Sequence, residues 1–296
     1  MSSLSTFSRL SAIMETAEEL PFDSASKIVL ISDCHRGDGS WVDDFRHNQN
    51  LYYAALKYYY AGGFTYIDLG DSEELWKNRY LSDITCVYAD TYRLLRRFYG
   101  EGRLHMLYGN HDIVKKSPLF NAQNLASFFD SQTGKAEPLF DHAVIHEGLV
   151  LRSTESGARI LLVHGHQGDL LSDILWPLGR TLSRYFWRRL EFLGLRDPTS
   201  AAKNFEARKK VERKIIGWVA KKSQPVIAGH THRPTCPPDG ELPYFNTGSC
   251  VHPNCITCIE LVGSELTLVK WDFKTRDDSV LFVDREPLSP PRSLLK

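Results

Sequence analysis

Apolar runs of strand length recur along this chain, each ended by Gly, Asp, Asn or His. They cover Lys27–Ser32, Thr65–Leu69, Arg103–Tyr108, Ala143–Leu151, Arg159–Val163 and Pro225–Ala228. A later set covers Tyr244–Asn246, Ile256–Leu261, Leu266–Trp271 and Val280–Val283. Patterns of helical period fall between the early strands, over Asn48–Ala61, Asp83–Tyr99 and Leu119–Phe129. A long helical excursion, Asp169–Lys222, separates two strands of the second half. Alternating strands and helices followed by a strand-rich end predict an α/β protein with mixed sheets covered by helices.

Composition narrows the class. The 296 residues make one large domain or two small ones, and 42% hydrophobic with 24% charged residues excludes disordered, collagenous and coiled-coil chains. Lys plus Arg and Asp plus Glu both number 36, which argues against a broad basic face for duplex DNA but not against a local anion pocket. Met1–Phe22 lacks the basic-then-apolar pattern of a secretory signal, and no apolar run nears the roughly 20 residues of a membrane span. Six irregularly spaced cysteines suit a reducing compartment, so a cytoplasmic location is expected. Cys236, Cys250, Cys255 and Cys258 invite a zinc reading; buried thiols are the default, because Cys255 and Cys258 open a strand, where i and i+3 face apart. One domain is expected over residues 24–285, with residues 1–23 a variable arm or short helix and 286–296 a loose end.

The chemistry stands at the strand ends. After IVLIS comes Asp33-Cys34-His35, and after YIDL comes Gly70-Asp71. HMLY is followed by Gly109-Asn110-His111-Asp112, ILLV by His164-Gly165-His166, and VIA by Gly229-His230-Thr231-His232. Any one of these could be a cap or an ordinary turn. Five in succession can converge, because open α/β sheets place ligands outside the carboxyl ends of their strands. Carboxylate, amide and imidazole together suit Mn, Fe, Zn, Co or Ni, and there are too many ligands for one tetrahedral zinc. Two metals about 3.5–4 Å apart, sharing a carboxylate, would use them all. Asp33 and Asp71 would cancel only half of the cations' charge, leaving the site attractive to phosphate.

The ordered set Asp-x-His, Gly-Asp, Gly-Asn-His-Asp, His and Gly-His-x-His resembles the calcineurin-like metallophosphoesterases, from Asp33 to His232. The resemblance implies a four-layer α/β/β/α sandwich with two divalent metals, manganese first among them, at the sheet edges. It implies Asp33, His35, Asp71 and His232 on one metal, and Asp71, Asn110, His164 and His230 on the other. His111 would contact the phosphate and protonate the leaving group, with Asp112 orienting it. The implied activity is phosphoester hydrolysis by a metal-bound hydroxide. Alternatives are a phosphodiesterase acting on nucleotides or nucleic acid, a protein phosphatase, and a non-catalytic scaffold.

Substrate choice is less legible. Gly70–Trp76 and Gly229–Pro234 resemble the branch of UDP-2,3-diacylglucosamine diphosphatases, but that branch commonly has Arg where this chain has His111. The expected substrate is thus a small phosphomonoester or a nucleotide-sugar or lipid diphosphate, with no extended nucleic acid. Arg36 and Arg233 each follow a ligand candidate and either reach a phosphate or pair with a nearby Asp. Residues 169–222 are expected to form a helical cap. Within them Arg180, Arg184 and Arg188 share a helical face beside several aromatics. That suits a core helix with a solvated Arg stripe, or a lid making peripheral membrane contact through 171–195.

Overall fold

The computed structural model describes residues 5–130, 132–169, 173, 175–187 and 205–293. Its strands are β1 (Glu18–Phe22), β2 (Lys27–Ile31), β3 (Thr65–Asp68), β4 (Leu104–Leu107), β5 (Ser127–Asp130), β6 (Lys135–Pro138), β7 (Ile145–His146) and β8 (Gly148–Ser153). They continue as β9 (Arg159–Val163), β10 (Val226–Ala228), β11 (Tyr244–Asn246), β12 (Cys255–Val262), β13 (Glu265–Thr275), β14 (Leu281–Pro287) and β15 (Arg292–Ser293). One sheet has the order β14-β13-β12-β2-β3-β4-β7, with β15 also pairing β13; the other has the order β1-β8-β9-β10-β11. Both are mixed: β2, β3, β4 and β7 run parallel, as do β9, β10 and β11, while β12, β13 and β14 are antiparallel.

Strand period sets the layers. In β2, Ile28 and Leu30 enter the core between the sheets, while Val29 and Ile31 face the helices on the other side. In β9 the same alternation sends Ile160 and Leu162 between the sheets and Leu161 and Val163 outward. The outer face of the first sheet is covered by α2 (Gln49–Ala61), α3 (Leu81–Val87) and α4 (Ala89–Gly100). Helix α2 presents Leu51, Tyr52, Ala55, Leu56 and Tyr59 at helical spacing. The second sheet is covered by α1 (Thr6–Thr16), through Leu10, Ile13 and Met14, and by Phe205–Lys222, through Val211, Ile215, Trp218 and Val219. The α/β/β/α sandwich is present.

Several boundaries differ from the pattern. The run Ala143–Leu151 divides between the sheets: β7 pairs β4, and β8 pairs β1 and β9. Gly148 allows the crossing, since a Cβ there would stand 2.5 Å from Ile13 and 2.9 Å from the Leu162 carbonyl. The helix expected over Asp83–Tyr99 breaks at Tyr88, and that over Leu119–Phe129 ends at Asn124 before a β5–β6 hairpin. Segments outside residues 24–285 also join the sheets. Residues before 24 form α1 and the parallel edge strand β1, whose Pro21 an edge tolerates, and β14 and β15 extend to Ser293. Of the segment expected as a cap, Phe205–Lys222 is instead the layer helix on the second sheet; Trp176–Leu182 and a following π turn Ser183–Trp187 are described, and residues 170–172, 174 and 188–204, Arg188 among them, lie outside the described residues. Cys250 and Cys258 are buried on the helix side of the first sheet, and Cys258 lies 3.1 Å from the Tyr59 hydroxyl.

Candidate metal centre

The carboxyl ends of β2, β3, β4, β9 and β10 open on one edge, and backbone hydrogen bonds lace their loops together. Asp33 and His35 donate from their backbone N–H to the carbonyls of Gly70 (3.0 Å) and Asp71 (2.8 Å), and Gly229 donates to His164 (2.9 Å). Asp33, His35, Asp71, His230 and His232 all have φ between 49° and 68°. Non-glycine residues seldom adopt this left-handed conformation, and its concentration here marks a functional site. The adjoining glycines permit close approach: a Cβ on Gly109 would lie 2.1 Å from Asp71 Oδ1, and one on Gly229 would lie 2.4 Å from Ser32 Oγ.

The side chains converge in three overlapping groups that could hold an ion: Asp33, His35 and His232; His35, Asp71 and His111; and Asp71, His164 and His230. Asp33 divides its oxygens. Oδ2 accepts from Ser32 Oγ and from the His230 backbone N–H (2.9 Å), while Oδ1 faces His232 Nε2 at 3.1 Å and His35 Nε2 at 3.7 Å. Asp71 does the same. Its Oδ1 accepts from the His111 backbone N–H at 2.7 Å, and Oδ2 lies 3.2 Å from His164 Nε2 and 3.7 Å from His35 Nε2. His164 Nδ1 donates to the Leu69 carbonyl at 3.0 Å, which fixes the ring and turns Nε2 into the site, 3.3 Å from Asn110 Oδ1. Asp33 Oδ1 and His230 Nε2 are buried without a hydrogen-bond partner, the condition a metal ligand would meet. The donor set and these unpartnered atoms fit divalent cations.

Electrostatics agree. Burial would raise the Asp33 and Asp71 carboxyls, yet both are held below the usual range by His232 and His164 respectively, with His164 also acting on Asp33. Burial would lower His164, but Asp71 and Asp33 push it up to about 9. His230 is pushed down to about 4 by burial and by its neighbour His164, despite both carboxylates. Beside it His166 is buried with neither ring nitrogen partnered, its ring 5.4 Å from that of His164.

Three expected roles change. Asp112 does not orient His111: its carboxylate accepts from the backbone N–H groups of Gly109 (2.7 Å), Asp71 (3.2 Å) and Ser72 (3.2 Å), and from Lys115 Nζ at 2.8 Å. It therefore braces the ligand loops. Glu74, which sequence reading passed over, takes the place at His111, 2.9 Å from Nδ1 and 3.5 Å from His35 Nδ1. Trp76 stacks on the His111 ring at 4.5 Å. Arg36 is not a phosphate ligand. It is buried toward the helices, 2.7 Å from Glu73 and against the rings of Tyr52 and Tyr92. Arg233, largely exposed, pairs with Glu212 at 3.2 Å on the Phe205–Lys222 helix. Both arginines pair with an acid, but the partners are Glu73 and Glu212 and not the expected Asp.

Comparisons with known proteins add the family. None of the curated proteins matches the chain. Among solved structures it is similar to Vps29 of Cryptosporidium parvum, with 15% identity, a TM-score of 0.40, and 91% of this chain and 100% of that one covered. For Vps29 of Chaetomium thermophilum the values are 12%, 0.42, 90% and 96%, and for a zinc complex of Vps29 from Entamoeba histolytica they are 16%, 0.38, 89% and 99%. These likenesses carry no argument about function. The model of the calcineurin-like phosphoesterases matches residues 26–235, spanning every ligand candidate from Asp33 to His232, and the chain belongs to that family.

Proposed function

We propose that this chain hydrolyses phosphoesters at two divalent cations that share the Asp71 carboxylate. The observation that carries the reading is the division of labour at Asp71: one oxygen tied to the His111 backbone, the other between His164 and His35. Asp33, His35, Asp71 and His232 would hold one ion; Asp71, Asn110, His164 and His230 would hold the other. Bound there, such ions polarise a phosphoryl group and make water nucleophilic near neutral pH.

The chain's own residues supply the rest. Asp33 and Asp71 bring the negative charge that gathers cations into a buried edge, and Asp112 keeps the loops in register from beneath. With Nδ1 of His111 committed to Glu74, Nε2 is left to give a proton to the departing alkoxide. The stacked Trp76 restricts rotation of that imidazole and keeps water from one of its faces.

The proposed substrate is a small phosphomonoester or a nucleotide-sugar or lipid diphosphate. The Gly70–Trp76 and Gly229–Pro234 motifs favour the diphosphate, and His111 in place of Arg favours the monoester. The test is hydrolysis of an aryl monoester, an aryl diester and a UDP-linked acyl sugar diphosphate, with Mn²⁺ added to wild type and to Asp71→Asn. Turnover by wild type that vanishes in the variant supports the shared-carboxylate mechanism, and the preferred compound names the class. A chain that binds Mn²⁺ but turns over none of the three would be a scaffold on the same fold.

A further inference from the structure

The turn after Asp71 holds two contacts to His111, through Glu74 and Trp76, and it is gripped from both sides. From inside, Glu73 binds Arg36, Lys115 and the Tyr92 hydroxyl. From outside, a single guanidinium of the helical insert binds its backbone. Arg184 donates from Nε to the Trp76 carbonyl at 3.1 Å, and from Nη2 to the carbonyls of Leu75 (2.8 Å) and Asn78 (3.1 Å). The insert also meets the loop after His111, where Lys116 Nζ lies 5.2 Å from the centre of the Trp176 ring. The insert thus touches both loops that carry the Glu74–His111 pair.

Taking the hydrolase reading as given, we infer that Arg184 is a positioning residue: by fixing the Leu75–Asn78 turn it sets the orientation of Glu74 and Trp76 against His111, and so couples the helical insert to proton delivery. A planar guanidinium presents its donors in a fixed fork, and three carbonyls of one tight turn match that fork where a lysine ammonium would not. Without it, those part-buried carbonyls lose their donor and the turn relaxes toward water. The Arg180–Arg184 stripe is therefore not a plain solvated face: one arginine of it is spent on backbone carbonyls beside the site.

The test uses the Mn²⁺-loaded full chain with Arg184→Ala, Arg184→Lys and, as a control on the same helical stretch, a substitution of an exposed residue, Leu178→Ala. With an aryl phosphoester too small to reach the insert, Arg184→Ala should lower kcat about 10- to 100-fold. KM should stay within about threefold and the metal content should be unchanged. Lysine should not restore the rate; added methylguanidine should restore part of it in the alanine variant, and Leu178→Ala should match wild type. A second readout does not need turnover. In protein loaded with diamagnetic Zn²⁺ in place of Mn²⁺, the imidazole C–H signal of His111, assigned with His111→Gln, carries the ring-current shift of Trp76 and should move toward the unstacked value in Arg184→Ala. An unchanged kcat, a rise in KM alone, a parallel loss of metal, or an unmoved His111 signal would each overturn the inference. Wild type inactive on every phosphoester would count against the hydrolase reading instead, and the His111 signal would still decide the role of Arg184.

Discussion

The core between the sheets and the edge where the strands end are built from the same strands by opposite rules. Between the sheets, Leu30, Ile67, Leu107, Leu162 and Ile227 meet in a layer of apolar side chains. At the edge, two to four residues past the ends of β2, β3 and β10, five left-handed residues carry carboxylates and imidazoles, and buried polar atoms lack partners. Stability comes from the first region, while the second holds strained backbone and like charges that only a firm scaffold keeps in place. Changes in the two regions should therefore separate function from stability.

The largest expected effect is at the edge. Asp71→Asn removes the negative oxygen proposed to be shared by two cations and should cut kcat/KM by at least about 10³-fold while far-UV circular dichroism stays as in wild type; loss of the dichroism signal instead would merge the two regions. Leu162→Ala should do the reverse, costing about 2–5 kcal/mol in urea unfolding with the metal stoichiometry of the folded fraction intact. Altered metal binding in that variant would break the contrast.

A smaller effect concerns pH. Burial pushes Asp68 up to about 6, against the pull of Lys115 and Arg36, while it accepts from Gly70 N–H at 2.9 Å and from the Ser72 hydroxyl. The folded value lies above the ordinary one, so this group's contribution is complete at low pH and is lost as pH rises from about 4 to 6. Asp68→Asn should flatten that decline, worth about 3 kcal/mol at most, in unfolding titrations of metal-free protein. A slope unchanged by the substitution would mean that other groups govern it. Last, Glu74→Gln keeps size and hydrogen bonding but removes the charge facing His111, and should lower kcat about 10- to 100-fold with metal content retained. A wild-type rate would return His111 to acting alone.

The core was legible in the sequence because strand period alternates two apolar faces, and the edge because its ligands directly follow those strands. What was hidden depended on which way single side chains turn. Glu73 and Glu74 are neighbours in one acidic turn; one goes to Arg36 and Lys115, the other to His111, and no spacing rule separates them. Asp112 stands next to His111 in the chain, but adjacent side chains diverge, so it serves the backbone of Gly109, Asp71 and Ser72. The choice left open at Arg36 turns on the same thing, since its side chain goes to Glu73 and not to the strand-end site. The strand Glu18–Phe22 has acidic residues and a proline where apolar alternation would be sought, and only its edge position against β8 makes it a strand.

The central claim is that two cations share one carboxylate, and metal stoichiometry tests it most directly. Purified chain stripped of metal, reloaded with Mn²⁺ and freed of excess should hold about two ions per chain, and Asp71→Asn should hold fewer. Wild type that holds at most one ion under saturating Mn²⁺, or an Asp71→Asn variant that keeps both, would contradict the account.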